Sequence, residues 1–200
     1  MPEQAALNNA EVLPVEELAR AGVYGLIGGL LAEPPGNDVF SVIARADDLD
    51  EPLPWGGLKA AAAEAEAEEL INEYHALFIG LGRGELMPYG STYLTGFLHE
   101  KPLADLREDL GRLGFERQED VHEPEDHAGA LCQVMSIMVS SPGEFSITAQ
   151  KDFFQRHMSP WMTVFFDDLA EAEKADFYRV VGEFGKAFME LEMQYFSMEV

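Results

Sequence analysis

Cysteine and positive charge are both scarce in this sequence of 200 residues. The one cysteine, Cys132, excludes an internal disulfide, and its apolar neighbours Leu131 and Val134 indicate a small buried side chain rather than a reactive thiol. Stability must therefore come from an apolar core. A hydrophobic content of 47% is enough to form one in a single domain of this length.

Basic side chains are outnumbered, with 13 Lys and Arg against 37 Asp and Glu, for a formal net charge of -24. Such a charge repels nucleic acid phosphates and anionic membrane surfaces, which argues against a nucleic acid partner. The same charge attracts a basic peptide, although an acidic surface also serves solubility or adaptation to high salt. Charge alone does not separate these roles.

No long hydrophobic run or export signal is found in the sequence. Residues 1–20 carry acids where a secretory signal carries Lys or Arg. The longest uncharged stretch near them, from Ala21 to Ala32, is too short to span a bilayer. We therefore expect a cytoplasmic protein without stable membrane insertion.

Strand patterns are missing as well, because no stretch alternates and Val, Ile and Thr are sparse beside Ala, Leu and Glu. Apolar spacing and breaker residues predict helices over 15–31, 38–45, 58–78, 103–113, 124–139, 148–157, 159–169 and 174–195. Residues 80–90 hold four glycines and a proline, and they predict a shaped loop.

The predicted fold class is all-α, a helical bundle. An N-terminal helical part over 1–114 and a C-terminal helical part over 126–200 are joined by a polar hinge over 115–125, which lacks apolar periodicity. The two parts can also close into one compact domain.

Catalytic chemistry finds little support in the residues. Asp126 and His127 resemble an acid/base pair, but neighbours on a helix point about 100° apart, so a polar anchor facing a pocket or a simple cap is the alternative. The five histidines show no metal-ligand spacing, and Gly80–Gly84 lacks the Lys-Ser/Thr of a phosphate-binding loop. We predict no catalytic residue, metal or cofactor. A nucleotide- or metal-dependent enzyme is the alternative of another class.

Peptide binding is a better match to the loop at 87–94. Pro88 fixes one backbone dihedral, while Tyr89 and Tyr93 offer flat amphipathic rings that suit a peptide. The same two tyrosines would also serve to pack the loop onto the bundle.

Several stretches resemble the TorD-type redox-enzyme maturation chaperones, a family that includes DmsD-like and NarJ-like proteins. YHALFIG at 74–80, followed by PYGSTYL at 88–94, is similar to the family's Y-x-x-L-F-x-G and P-x-x-S-x-Y signature. EPEDH at 123–127 is similar to its E-P-x-D-H motif, and HMSPW at 157–161 with Phe177-Tyr178 to its H-x-x-x-W and F-Y. The motifs occur in the family's order and extend over almost the whole chain.

The resemblance implies a chaperone, not an enzyme. It would bind the twin-arginine signal peptide or N-terminus of a molybdoenzyme catalytic subunit, delay export and assist cofactor insertion. The implied peptide-binding residues are Tyr24, Leu77, Phe78, Pro88, Tyr89, Ser91, Tyr93, Glu123, Pro124, Glu125, Asp126 and His127.

In this site the acids would pair with the leader's arginines, and an apolar groove near Leu77, Phe78, Pro88 and Tyr93 would accept its hydrophobic stretch. A structural or assembly subunit of a redox complex is the alternative. Monomer and domain-swapped homodimer both stay open, and the motifs do not identify the client.

Overall fold

The computed structural model describes residues 13–45, 53–80, 84–117 and 123–198, and within these ranges every regular element is helical. The elements are α1 Val15–Ala32, α2 Asn37–Arg45, α3 Trp55–Glu64, α4 Ala67–Tyr74, a π-helical turn His75–Ile79, α5 Gly90–Thr95, α6 Lys101–Arg112, α7 Ala128–Ser140, α8 Ile147–His157, α9 Met162–Glu171 and α10 Phe177–Met198. The all-α prediction is confirmed. None of these helices is both long and apolar enough to cross a membrane.

Two pairs of helices form the centre of the bundle, with α1 packed along α7 and α10 packed along α9. Glycines allow both close approaches. A Cβ on Gly28 would lie 3.1 Å from the carbonyl oxygen of Gly129, and a Cβ on Gly182 would lie 2.5 Å from the backbone nitrogen of Ala170. Larger side chains at these positions would push the helices apart.

One cluster of buried apolar side chains joins these helices. Each large member contributes about 1.5–3 kcal/mol by leaving water. Cys132 is a fully buried member of the cluster, as predicted, and burial raises the pKa of its thiol. The largest fully buried side chains are Trp161, Tyr24, Tyr178, Phe154, Phe165 and Phe166.

The α1–α7 contact crosses the predicted boundary between an N-terminal and a C-terminal part. Residues 118–122 of the predicted hinge lie outside the described ranges. The division into 1–114, 115–125 and 126–200 therefore stays a prediction.

The single helix predicted over 58–78 is wrong. Ala65 and Glu66 are extended and separate α3 from α4, and the π-helical turn follows α4. Leu58 and Leu70 are both buried, yet on one continuous helix, at about 100° per residue, they would point about 120° apart. The break turns both leucines toward the core, so packing overrides the helix propensity of the Ala/Glu run.

Two helix starts also differ from the prediction. α7 begins at Ala128 rather than at Pro124, and the Nδ1 of His127 accepts a hydrogen bond from the Gly129 N–H at 3.1 Å as its N-cap. α9 begins at Met162 rather than at Ser159, with Trp161 as the preceding residue. The short helix α5 was not predicted, because its six residues follow a glycine- and proline-rich segment.

A buried polar network connects α1, α8 and α10. Arg20 donates to both oxygens of Glu192 at 2.7 and 2.8 Å and to Gln150 Oε1 at 2.9 Å, and the Tyr24 hydroxyl donates to Glu192 at 2.6 Å. Burial opposes the charge, but the bonds and charge of Glu192 raise the pKa of Arg20. Burial, and then the charge of Glu192, raise the pKa of Tyr24.

Candidate functional site

The two motif segments 88–91 and 123–128 lie against each other. Tyr89 and His127 form an isolated antiparallel β-bridge. The Gly90 N–H donates to the Asp126 carbonyl at 2.9 Å, and the Ala128 N–H donates to the Pro88 carbonyl at 2.8 Å. Segments more than 30 residues apart in sequence are thus joined at the starts of α5 and α7.

Asp126 is the central side chain of this junction. It is only 3% exposed, and its Oδ2 accepts a hydrogen bond from the Ser91 N–H at 2.7 Å, which satisfies a free donor at the first turn of α5. Its Oδ1 and the Ser91 hydroxyl oxygen are buried and have no hydrogen-bond partner within the described ranges. Two buried oxygen atoms of the junction, one from Asp126 and one from Ser91, are therefore available for further hydrogen bonds.

His127 and Tyr89 form the neighbouring part of the junction. Their rings meet edge to face with centroids 5.3 Å apart, and the Tyr89 hydroxyl donates to Glu123 Oε2. Burial, and then the bond to Glu123, raise the pKa of Tyr89. Burial lowers the pKa of His127, so the ring is neutral at pH 7 and its Nδ1 accepts from the Gly129 N–H while Nε2 carries the proton. The ring is a fixed cap rather than a proton carrier.

A groove with a volume of about 550 Å³ opens beside the junction, and we call it the Glu123 groove. Glu123, Pro124, Glu125 and His127 line it. Residues of α6, the segment after it and α7 also line it, and they include Arg107, Leu110, Phe115, Arg117 and Val134. The lining therefore combines apolar and charged side chains.

The charged part of the Glu123 groove is already paired within the chain. Glu125 Oε2 lies 2.8 Å from Arg107 Nη2, and Glu125 Oε1 lies 3.3 Å from Arg117 Nη1. Burial opposes the charge of Glu125, but Arg107 and Arg117 hold the pKa of its carboxyl below its ordinary value. Arg117 also donates to the Glu123 carbonyl at 3.1 Å.

Trp161 closes the other side of the junction. A Cβ on Gly90 would lie 3.1 Å from Trp161 Nε1, so a larger residue here would require the ring to move by a few tenths of an ångström. Trp161 Nε1 donates to the His157 carbonyl at 2.8 Å, and the Trp161 and Tyr93 rings lie 5.4 Å apart. A cavity of about 170 Å³ lies there, lined by Asp126, Leu94, His157 and Trp161 among others.

His157 connects this cavity to α6. Its Nε2 lies 2.8 Å from Asp109 Oδ2, which also pairs with Arg156 at 2.9 Å. Burial lowers the pKa of His157, although its bond to Asp109 opposes the shift. His157 of the H-x-x-x-W motif thus holds α8 against α6. His157 and Trp161 line the same cavity as Asp126 of the junction.

The structure brings most of the predicted site together and separates the rest. Pro88, Tyr89, Ser91, Glu123, Pro124, Glu125, Asp126 and His127 lie at the junction or in the Glu123 groove. Tyr93 lies on the Trp161 side, where its hydroxyl donates to Asp168 at 2.9 Å.

The other three predicted residues belong to the interior. Leu77 is fully buried, and the partly buried ring of Phe78 packs against Tyr178 at 5.4 Å. Tyr24 is fully buried in the Arg20 network. The apolar groove predicted near Leu77 and Phe78 and a peptide-binding role for these three residues stay predictions.

Sequence reasoning missed Arg107 and Arg117 as partners of Glu125, and Asp109 as the partner of His157. No local signal marks them, because Arg107 and Asp109 lie on a different helix from the motif residues that they contact. Within the described ranges, no group of three or more His, Cys, Asp or Glu side chains could hold a metal ion.

Comparisons with known proteins agree on one family. The family model described as nitrate reductase delta subunit matches residues 46–167. The chain is 26% identical over 131 residues to the chaperone protein TorD of Vibrio cholerae serotype O1, covering 61% of this chain and 60% of that one. It is 28% identical over 153 residues to TorD of Aliivibrio fischeri, covering 71% of both.

A third relative, named "Probable Tat proofreading chaperone DmsD", from Haemophilus influenzae, is 27% identical over 118 residues, covering 57% of this chain and 55% of that one. The chain thus spans about 60% of the length of the first TorD relatives that it matches. A crystal structure described as a redox enzyme maturation protein of Archaeoglobus fulgidus has the same fold, with a TM-score of 0.55, 19% identity, and coverage of 93% of this chain and 99% of that one.

Proposed function

The chain belongs to the nitrate reductase delta subunit family, and on that premise we propose that it is a maturation chaperone for a molybdoenzyme. It binds the twin-arginine signal peptide or the N-terminus of the catalytic subunit in the cytoplasm, delays export and assists cofactor insertion. Relatives named TorD and DmsD are described as chaperones, which supports a binding function rather than catalysis.

The observation that carries this proposal is the junction of 88–91 with 123–128 beside the Glu123 groove. The groove offers carboxylates next to apolar surface from Leu110, Phe115 and Val134. A twin-arginine leader carries partners for both, with basic residues followed by an apolar stretch. Arginine binds carboxylates with two parallel hydrogen bonds, which gives both strength and geometry.

Binding of the leader would proceed by exchange of ion pairs. Arg107 and Arg117 now satisfy Glu125, so a leader guanidinium replaces one internal cation with another and leaves no carboxylate newly buried without a partner. Arg107 is about half exposed and can return to water. Ordering a flexible leader costs free energy as well, so we expect moderate, reversible affinity, as a chaperone that releases its client requires.

The test is a calorimetric titration with a synthetic twin-arginine leader of a molybdoenzyme encoded beside this chain, against the same peptide with both arginines changed to lysine. Lysine cannot form the bidentate contact, so the expected result is saturable binding that weakens with the change. No binding to either peptide would contradict the proposal.

A matched pair of variants locates the leader in the groove. Glu125→Gln should weaken leader binding, while Glu108→Gln removes the same charge from an exposed position on α6, where Glu108 pairs with Arg112, and should leave binding unchanged. An equal effect of both variants would indicate general charge attraction instead of a site.

A second candidate is an assembly subunit that stays with a redox complex, and the description of the family as a delta subunit favours it. Isolation of the mature client distinguishes the two roles. A chaperone is absent from the mature enzyme, whereas an assembly subunit is recovered with it in equal amount.

A further inference from the structure

A second and more apolar groove lies between α1 and α10, on surface that the Glu123 groove does not share. Its volume is about 700 Å³, and we call it the α1–α10 groove. α1 contributes Val23 and Leu26, and α10 contributes Phe188 and Met198. Val42 of α2 and Trp55 of α3 complete the apolar lining.

Contacts between the two helices give the direction and length of this groove. The Tyr24 and Phe188 rings lie 4.7 Å apart, and the Tyr195 hydroxyl donates to Glu17 at 2.9 Å, so α1 and α10 run antiparallel. The groove follows α1 from Glu16 to Leu26, a rise of about 15 Å at 1.5 Å per residue. A helical segment of roughly three turns fits this length.

The floor of the groove favours an apolar occupant. Arg20 and Glu192 line it, but they already satisfy each other with hydrogen bonds of 2.7 and 2.8 Å. The Arg20 guanidinium also lies over the Tyr195 ring, 4.5 Å from its centroid. A ligand therefore finds ring faces and aliphatic side chains there rather than an unpaired charge.

Charged residues of both signs line the groove. Glu16 and Glu17 lie at the end formed by the start of α1, where Glu17 also pairs with Arg20 at 3.0 Å. Arg45, the last residue of α2, lines the groove with Trp55, whose ring lies 4.7 Å from Phe184, one turn before Phe188 on α10. The positive N-terminal end of a bound helix is favoured beside acids and its negative C-terminal end beside a cation.

We propose that the α1–α10 groove binds an amphipathic helix of a partner protein, with its apolar face in the groove and a basic N-terminal flank beside Glu16 and Glu17. Recognition of this kind uses apolar anchors spaced along one helix face. The source is the mature part of the client, which rests on the proposed function, because a leader in the Glu123 groove leaves this groove open. The client is then held at two separate surfaces.

The test uses a fluorescein-labelled model peptide, two lysines followed by about twelve residues of a Leu/Ala amphipathic helix. Gly22 lines the groove and has no atom within 4 Å of an added Cβ, so Gly22→Phe fills the groove without disturbing the backbone. We expect this variant to weaken the fluorescence anisotropy titration by about tenfold or more.

The matched control is Gly29→Phe. Gly29 lies on the same helix, also has nothing within 4 Å of an added Cβ, and does not line the groove, so binding should be unchanged.

A second pair of variants makes the same comparison with exposed side chains. Val42→Lys, at a groove residue that is 57% exposed, should weaken binding, whereas Val164→Lys, at a residue of α9 that is 55% exposed, should not.

The outcomes separate this proposal from the proposed function. Model-peptide binding that both groove variants leave intact, or no binding at all, overturns the groove proposal, while a leader titration that still responds to Glu125→Gln keeps the function. A peptide with its lysines moved to the C-terminal end should bind more weakly, and equal binding overturns the orientation. Displacement of the model peptide by the twin-arginine leader overturns the mature chain as the source.

Discussion

Protonation of His127 is unfavourable in the folded protein. Its ring is buried, edge to face with Tyr89, and its Nδ1 accepts the N-cap hydrogen bond of α7. Protonation would place a hydrogen on that acceptor and a charge in the interior. The same contacts that hold the junction together therefore make it sensitive to acid.

The first prediction concerns pH. Because burial lowers the pKa of His127 below its ordinary 6.5, the unfolded chain binds the proton more readily than the folded chain. Stability is therefore fully present above about pH 6.5 and is lost as pH falls toward the lower, folded-state pKa. Thermal unfolding followed from pH 7.5 to 5.5 should show this loss.

His127→Asn keeps a cap acceptor without a titrating ring, and it should flatten that pH dependence. His157, whose pKa is also lowered, provides a residual slope that remains in the variant. Identical pH slopes for the variant and the original chain would exclude His127 as a source.

The candidate site shows which residue properties a sequence reveals. The structure places 88–91 against 123–128, which are segments that the family resemblance groups in one site, while their role in binding stays a prediction. The pairing of Glu125 with Arg107 depends on how α6 packs against the segment before α7, and no local sequence pattern encodes that packing. Tyr24 and Leu77 are apolar enough for either a groove or a core, and both are fully buried.

At the scale of elements, α4 caps another helix through a side chain. Glu73 accepts hydrogen bonds from the N–H groups of Asp176, Phe177 and Tyr178 at 2.7, 3.2 and 2.8 Å. These are free donors at the start of α10, and a carboxylate there also matches the helix dipole. One side chain thus fixes the longest described helix against the N-terminal helices.

The second prediction removes this cap. Glu73→Ala should lower the free energy of unfolding by about 1–2 kcal/mol, as the loss of a helix cap does. Glu69→Ala on the exposed side of the same helix is the control and should change it by less than about 0.5 kcal/mol. Urea unfolding followed by circular dichroism measures both, and equal losses would mean that α4 propensity rather than the cap is responsible.

Element boundaries were predicted well where a breaker residue decides them and poorly where packing decides them. α1, α8 and α10 lie within a few residues of their predicted ranges. The break between α3 and α4 has no breaker, since Ala65 and Glu66 favour a helix. It exists because Leu58 and Leu70 must both reach the core, a requirement that appears only once the neighbouring helices are in place.

At the scale of the whole molecule, the buried pair of Arg20 and Glu192 connects positions 172 residues apart. The third prediction is that Glu192→Leu alone lowers the free energy of unfolding by about 3 kcal/mol, because it removes the two-bond partner of a buried guanidinium and leaves it only Glu17, at 3.0 Å, and Gln150. The double variant Arg20→Met/Glu192→Leu should lose less than the sum of the two single variants. A double-mutant cycle in urea measures the coupling, and additive losses would show that the two side chains act independently.

The net charge of -24 gives the last prediction, on salt. Repulsion among the acidic side chains destabilises the folded state. Added salt screens this repulsion, with a Debye length of about 10 Å at 0.1 M, so the melting temperature should rise with salt.

The affinity for the leader should fall over the same range of salt, because the attraction between its arginines and the Glu123 groove is screened. The model peptide at the α1–α10 groove should respond less, since apolar burial dominates there. Leader binding that ignores salt would contradict charge pairing at Glu123 and Glu125 and favour a purely apolar mode of recognition.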